Sequence, residues 1–147
     1  MNRGERAKQN FESGCNCAQA VLLAFSDRTG LDDATAMKLA SSFGGGIGRL
    51  REVCGAVSGM LMAFGLICGA EGVPAHEEKA AHYALTQRLA GEFREENGSI
   101  LCRDLLDGAQ TAPTPDARTP EYYRKRPCAE LCRSAADILE AYLNEHP

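Results

Sequence analysis

The residues of this chain best suited to chemistry are its seven cysteines. The amino-terminal stretch MNRGERAKQNFESG is polar and lacks the apolar segment of a signal peptide or an anchor, so we expect a cytoplasmic protein. In a reducing compartment, cysteines serve metal binding, redox chemistry or packing more often than a disulfide framework. Their positions on the predicted elements therefore decide which of these roles to expect.

Four of the cysteines fall in the N-terminal turns of predicted helices. They are Cys17, Cys54, Cys102 and Cys128. Asn16 is a candidate N-cap before Cys17, and Cys54 follows the FGGGIGRLREV connection. Ser99 can cap a short helix that has Cys102 at its third position. Pro127 suits the first position of a helix and places Cys128 beside it. A helix N-terminus favours a thiolate by about 0.3 to 1 kcal/mol and lowers its pKa. Packing does not require this placement, so we expect these four to carry the chemistry.

The other three cysteines have different positions. Cys68 lies fourteen residues beyond Cys54, which at ~1.5 Å per residue places it about 21 Å away, too far to share a metal centre. We predict that Cys68 and Cys132 are small buried hydrophobes. Cys15 forms a C-x-C pair with Cys17, and Cys132 lies one helical turn after Cys128. Either residue can therefore replace its neighbour as a ligand.

The elements that must position the cysteines are predicted to be helices, with no convincing strand. Apolar residues recur at helical spacing from Cys17 to Phe25 and from Ala36 to Phe43. A longer helix begins after Pro74 and ends at ENG, and the last runs from Pro127 to about Asn144. The sequence therefore predicts one all-α domain over residues 1–147, a bundle of five or six helices around a buried glycine-rich central helix.

That central helix is predicted in EVCGAVSGMLMAFGLICGAEG, residues 52–72. Residues 54–70 would be roughly 25 Å long as a helix, near the minimum for a membrane span. Four glycines dilute its hydrophobicity and the other helices are amphipathic, so we predict no membrane insertion. GAVSG is a GxxxG-like notch for a neighbouring backbone. So apolar a helix also makes a homodimer plausible as a way to complete its burial.

A second unusual segment is GAQTAPTPDARTPEYYRKRP, residues 108–127, whose four prolines exclude a continuous helix. We predict a long, ordered loop that wraps the bundle and buries Tyr122 and Tyr123. The basic residues that precede Cys128 are expected either on the solvated surface or beside the centre, where they can receive an acidic electron partner.

The glycine-rich stretch FGGGIGR, residues 43–49, matches no phosphate-loop motif and follows no strand, so we predict a turn that ends one helix before the next begins. Arg49 and Arg51 are expected to be solvated, with the alternative that they add positive charge to an anionic centre. The whole chain has 16 basic and 20 acidic side chains, a net charge of −4, which excludes a general electrostatic affinity for nucleic acid.

Several motifs together resemble those of the C_GCAxxG_C_C family of redox-active proteins. They are GCNCAQAVLLAF, FGGGIGR, CGAVSG, GSILCRDLL and CAEL, in the order and approximate spacing of the family. The resemblance implies a helical domain of about this length and frequent encoding near transporter genes. It also implies four characteristic cysteines, Cys17, Cys54, Cys102 and Cys128, and a similar domain in split-Soret cytochromes carries a 2Fe–2S cluster.

Three hypotheses follow. In the first, the four cysteines hold a 2Fe–2S cluster, Gly55 and Gly59 let backbone approach the sulfurs, and electrons pass to an unidentified redox partner protein. In the second, the protein is a metal-free thiol–disulfide protein that uses Cys54 with Cys17. In the third, the cysteines form a structural zinc site or only pack, with no cofactor. Whether the protein is an enzyme stays open.

Overall fold

The chain folds into helices joined by short connections, in a computed structural model that describes residues 1–147. The helices are α1 (Arg3–Glu12), α2 (Cys17–Leu23), α3 (Ser26–Thr29), α4 (Asp33–Leu39), α5 (Gly44–Ile47), α6 (Gly55–Cys68), α7 (His76–Asn97), α8 (Cys102–Leu105), α9 (Pro120–Lys125) and α10 (Cys128–Glu145). There is no strand, and one isolated antiparallel bridge joins Val53 to Leu101. The predicted all-α class is confirmed. Only six helices have seven residues or more; the four shorter ones span too few residues for hydrophobic periodicity to indicate them.

The helices share one apolar core. α1 packs on α10 and α2, α2 on α6 and α4, and α10 on α6 and α7. Along α10, Leu131, Ala135, Leu139 and Tyr142 recur at helical spacing, and all four are buried. The largest fully buried side chains of the core include Phe11, Phe25, Phe64, Phe93, Leu22, Met60 and Leu89. The two helices that carry Cys17 and Cys128 are therefore fixed by the centre of the fold.

Helix α6 is buried mainly along its first ten residues. Leu66 is 41 % exposed and Cys68 is exposed as well, so the predicted burial of Cys68 is wrong. The last turn of α6 leads into the connection to α7, where Glu71 and Val73 are also exposed. No helix combines the length and the apolar character that a membrane crossing requires.

The glycines of GAVSG bring the backbones of α2 and α6 together. A Cβ atom on Gly59 would lie 2.5 Å from the carbonyl oxygen of Ala18. A Cβ atom on Gly55 would lie 2.8 Å from the carbonyl oxygen of Phe43. Any larger residue would push these segments apart. The predicted notch for a neighbouring backbone is confirmed, and it sets the distance between the helices that carry Cys17 and Cys54.

The proline-rich segment at residues 108–127 is ordered against the bundle but is not loop throughout. It contains α9, in which Pro120 occupies the first turn and the Thr119 hydroxyl accepts a hydrogen bond from the Tyr122 amide (3.1 Å). Proline is compatible with a first helical turn because that position needs no donor. As predicted, Tyr122 and Tyr123 pack on the core, with ring centroids 6.4 and 6.1 Å from that of Phe11.

Candidate functional site

The four cysteines selected from the sequence all lie at helix N-termini. Cys17, Cys102 and Cys128 are the first residues of α2, α8 and α10, and Cys54 is the N-cap residue of α6. The predicted cap of α8 is wrong, since Leu101 occupies the cap position. Ser99 lies farther back, where its hydroxyl accepts a hydrogen bond from the Leu101 amide (3.0 Å) and donates to Asp104 (2.8 Å).

Hydrogen bonds to the backbone hold three of the four cysteines in place. Asn16 forms a capping box with Gln19, in which the two residues exchange hydrogen bonds of 2.8 and 2.9 Å. The Cys54 amide donates to the Ile100 carbonyl (2.8 Å), and the Cys102 amide donates to the Glu52 carbonyl (2.7 Å). These two bonds flank the isolated bridge and hold the starts of α6 and α8 side by side. Sequence reasoning missed this pairing because the bridge is too short to leave a strand pattern.

All four cysteines are buried and line one cavity of about 320 Å³. The thiols of Cys17 and Cys128 lie near enough to shift each other's pKa. Cys132 is buried behind them and its thiol donates to the Cys17 carbonyl (3.8 Å), but it does not line the cavity. Its predicted burial is confirmed. Cys15 is half-buried beside Met37 and lies outside the cavity lining as well.

The pKa values of three buried thiols are raised, whereas their positions at helix N-termini predicted lowered values. Burial raises the pKa of Cys54 to about 12, although the backbone amides of Ala56 and Val57 partly oppose this. The hydrogen bond with Cys17 and burial raise the pKa of Cys128. For Cys17, the hydrogen bond from Cys128 lowers the pKa, but the contact with Cys132 and burial together leave it well above its usual range. The predicted lowering is therefore wrong for these three, because desolvation and neighbouring sulfurs outweigh the helix dipole.

We expect the metal-free, reduced protein to lose stability as the pH rises from about 9 toward about 12. The pKa of the Cys54 thiol is higher in the folded state than in the unfolded state. Its contribution to the free energy of unfolding is therefore complete below the unfolded-state pKa and is lost as the pH rises to the folded-state pKa. Three pKa units amount to roughly 4 kcal/mol of unfolding free energy. Urea unfolding at several pH values measures this loss, and Cys54→Ser is the control. A Cys54→Ser protein with an unchanged pH dependence would contradict the assignment.

The cavity wall is strongly cationic. Its charged residues are Arg49, Arg51, Arg118 and Arg126, with Asp116 as the one carboxylate. Asp116 pairs with both Arg49 and Arg126. The expectation that Arg49 and Arg51 are solvated is wrong for both, since Arg51 is 4 % exposed and the Arg49 side chain is 15 % exposed. The proline-rich segment covers them, since the Gln110 carbonyl accepts a hydrogen bond from Arg51 Nε (2.9 Å) and the Ala112 carbonyl accepts one from Arg49 Nε (2.6 Å).

Arg118 fastens this covering segment to the bundle. Its guanidinium lies 4.3 Å from the ring centroid of Phe11 and donates to the carbonyls of Phe11 (3.0 Å) and Cys15 (3.1 Å). Nothing in the sequence indicated this contact, because the partners are about a hundred residues apart and arginine is common in surface loops.

The glycines near the cysteines have separate roles. Gly55 lines the cavity, whereas Gly59 packs against α2 and does not line it. Gly46 has a φ of +67°, and a Cβ atom there would lie 2.7 Å from both the Cys102 Cβ and the Glu52 amide nitrogen. The predicted glycine turn therefore supports α8 directly beneath Cys102.

The groups that the site offers for metal binding or redox chemistry are four buried cysteine sulfurs in a cationic cavity. No disulfide joins any of the seven cysteines. No three cysteine, histidine or acidic side chains are grouped closely enough to hold a single metal ion.

One of three comparisons with known proteins gives a match. The family model described as "Putative redox-active protein (C_GCAxxG_C_C)" matches residues 15–142, a range that includes every cysteine of the chain. Searches of curated proteins and of solved structures give no match. On the strength of the family match, this chain belongs to the C_GCAxxG_C_C family of redox-active proteins.

Proposed function

We propose that the protein is a redox protein that holds a 2Fe–2S cluster on Cys17, Cys54, Cys102 and Cys128 and transfers electrons. The observation that carries the proposal is that these four cysteines, from four different helices, line one buried cavity. Four cysteines are the usual ligand set of such a cluster, which supplies one-electron chemistry when bound. Membership of a redox-active family supports the same assignment.

The charges around the cavity fit an anionic centre. Four thiolates and two sulfides leave a 2Fe–2S cluster with a net negative charge. Arg51 Nη1 donates to Cys102 Sγ (3.5 Å), and the backbone amides of Ala56 and Val57 lower the pKa of Cys54 against the effect of burial. Such contacts stabilise bound thiolates and raise the reduction potential of a cluster.

A structural zinc site on the same four cysteines is a further candidate. A tetrahedral zinc site needs four ligands at about 2.0 to 2.3 Å from one ion, whereas a two-iron cluster takes two cysteines on each iron. No three side chains are grouped closely enough to hold a single ion, so the metal content of the purified protein decides between the two.

A metal-free thiol–disulfide protein is the second candidate, and one contact favours it. The Cys17 and Cys128 thiols lie near enough to shift each other's pKa, so oxidation would join this pair more easily than the pair expected from the sequence, Cys54 with Cys17. The raised pKa values of Cys17 and Cys128 oppose this function, because thiol exchange proceeds through the thiolate.

Anaerobic purification followed by absorption spectroscopy and metal analysis tests the proposal. The cluster predicts bands between roughly 400 and 600 nm, with iron and acid-labile sulfide in equal amounts. A colourless protein that contains zinc would indicate the structural site. A colourless, metal-free protein with one readily reducible disulfide would indicate the second candidate.

The surface beside the cavity suits an acidic electron partner in a reducing compartment such as the cytoplasm. Arg124 and Lys125 are exposed, directly before Arg126 of the cavity wall. Exposed basic side chains accelerate association with an acidic surface and lose this effect in salt.

We also propose that the protein forms a homodimer and that it has a functional link to a transporter. A monomeric mass by light scattering would exclude the dimer.

A further inference from the structure

The buried guanidinium of Arg51 has no anionic partner. Its guanidinium is buried, Nε donates to the Gln110 carbonyl, and Nη1 donates to Cys102 Sγ. Its Nη2 is buried as well and has no hydrogen-bond partner. No carboxylate pairs with Arg51, although a buried guanidinium without an anionic partner is costly. The residue lines the cavity, so an anion in the cavity would satisfy it.

The other charged residues of the cavity leave it with an excess of positive charge. The lining holds four arginines and a single carboxylate, Asp116, which Arg49 and Arg126 share. Arg118 has only carbonyl and hydroxyl acceptors, from Phe11, Cys15 and Tyr123. The wall therefore carries an excess of guanidinium groups, whose planar donor arrays match the oxygens of carboxylates, phosphates and similar anions.

The cavity is also large enough for a small molecule. Its volume of about 320 Å³ lies at the lower end of the range for ligand sites, which is roughly 300 to 1,000 Å³. At about 30 Å³ per water molecule, it has room for a small anion and several waters.

We propose that this cavity binds a small oxyanion between Arg51, Arg126 and the cysteines, beneath the proline-rich segment. The inference goes beyond electron transfer, because it gives the protein a small-molecule ligand next to its redox centre. It does not depend on iron, since the arginines are held by contacts with the protein itself. The bound oxyanion lies beside the sulfurs and receives hydrogen bonds from Arg51 Nη2.

Isothermal titration calorimetry on the anaerobically purified protein tests the site, with inorganic phosphate, sulfate and malonate as probes. Chloride holds the ionic strength constant, so that general screening does not register as binding. Arg51→Gln and Arg126→Gln remove cavity charges. Arg103→Gln is the matched control, because Arg103 follows Cys102 but is exposed and pairs with Glu52 outside the cavity.

We expect at least one probe to bind, with an affinity at least about tenfold weaker in Arg51→Gln and Arg126→Gln and within about twofold of wild type in Arg103→Gln. Circular dichroism checks that each variant folds. If Arg51→Gln fails to fold, Arg126→Gln decides the outcome, since its side chain is nearer the surface. The inference is overturned if none of the probes binds the wild-type protein, or if the folded cavity variants bind as tightly as wild type.

Iron and sulfide are measured in the same samples, so the two proposals fail separately. A protein that binds phosphate but contains no iron contradicts the cluster and leaves the oxyanion site standing. A protein that contains the cluster but ignores all three probes contradicts the oxyanion site alone, because the arginines then serve only the cysteine-bound centre.

Discussion

Cys54→Ser is expected to abolish the visible absorption of the anaerobically purified protein and to lower its bound iron by at least about tenfold. Cys54 lies at the buried start of α6, lines the cavity and is held beside Cys102 by paired backbone bonds. A serine hydroxyl is a much harder ligand than a thiolate and does not replace it on a cluster. The measurement is absorption together with iron and sulfide content per chain.

Cys68→Ser is the matched control, since Cys68 ends the same helix and is exposed. It should keep the full absorption and iron content. Cys132→Ser separates ligation from packing, because Cys132 is buried against Cys17 but lies outside the cavity lining. Loss of iron from Cys132→Ser with retention in Cys128→Ser would show that the ligand set is wrong.

Gly59→Ala is expected to lower the free energy of unfolding by roughly 3 kcal/mol or more, a large effect for one methyl group. The new Cβ atom would lie 2.5 Å from the Ala18 carbonyl oxygen, which is backbone and has little freedom to move aside. Relief of the clash requires α2 to move away from α6. Because these helices carry Cys17 and Cys54, the variant should also bind iron more weakly.

Gly65→Ala provides the matched comparison on the same helix. A Cβ atom at Gly65 meets nothing within 4 Å. Alanine favours a helix over glycine by about 0.8 to 1 kcal/mol, so this variant should be more stable than wild type. Urea unfolding followed by circular dichroism measures both variants. A shift of the same sign in the two proteins would contradict the packing described for α2 and α6.

Local sequence signals were sufficient to predict that the key cysteines lie at helix starts, although the cap of α8 was misplaced at Ser99. Asn16 and Pro127 identified helix starts because caps depend on the residues next to them. The notch at Gly59 was equally predictable, because glycines four residues apart in an apolar helix indicate a close backbone approach. Burial was less predictable, as Cys68 shows, because the apolar pattern of α6 continues into a last turn that is exposed.

Features that depend on distant parts of the chain could not be predicted. The bridge that aligns Cys54 with Cys102 involves one residue on each side, which leaves no periodic pattern. Arg51 resembles any surface arginine in the sequence, and only the fold of the proline-rich segment buries it. The raised pKa values follow from burial and from contacts among sulfurs, whereas the sequence indicated only the helix dipole.

Native mass spectrometry of the anaerobically purified protein tests the central claim most directly, because it weighs the folded chain with whatever it holds. We predict a mass that exceeds the polypeptide by two irons and two sulfides, with this increment absent from Cys54→Ser and present in Cys68→Ser. A folded protein whose mass exceeds the polypeptide by one zinc ion, or that carries no metal after anaerobic reconstitution with iron and sulfide, would contradict the claim.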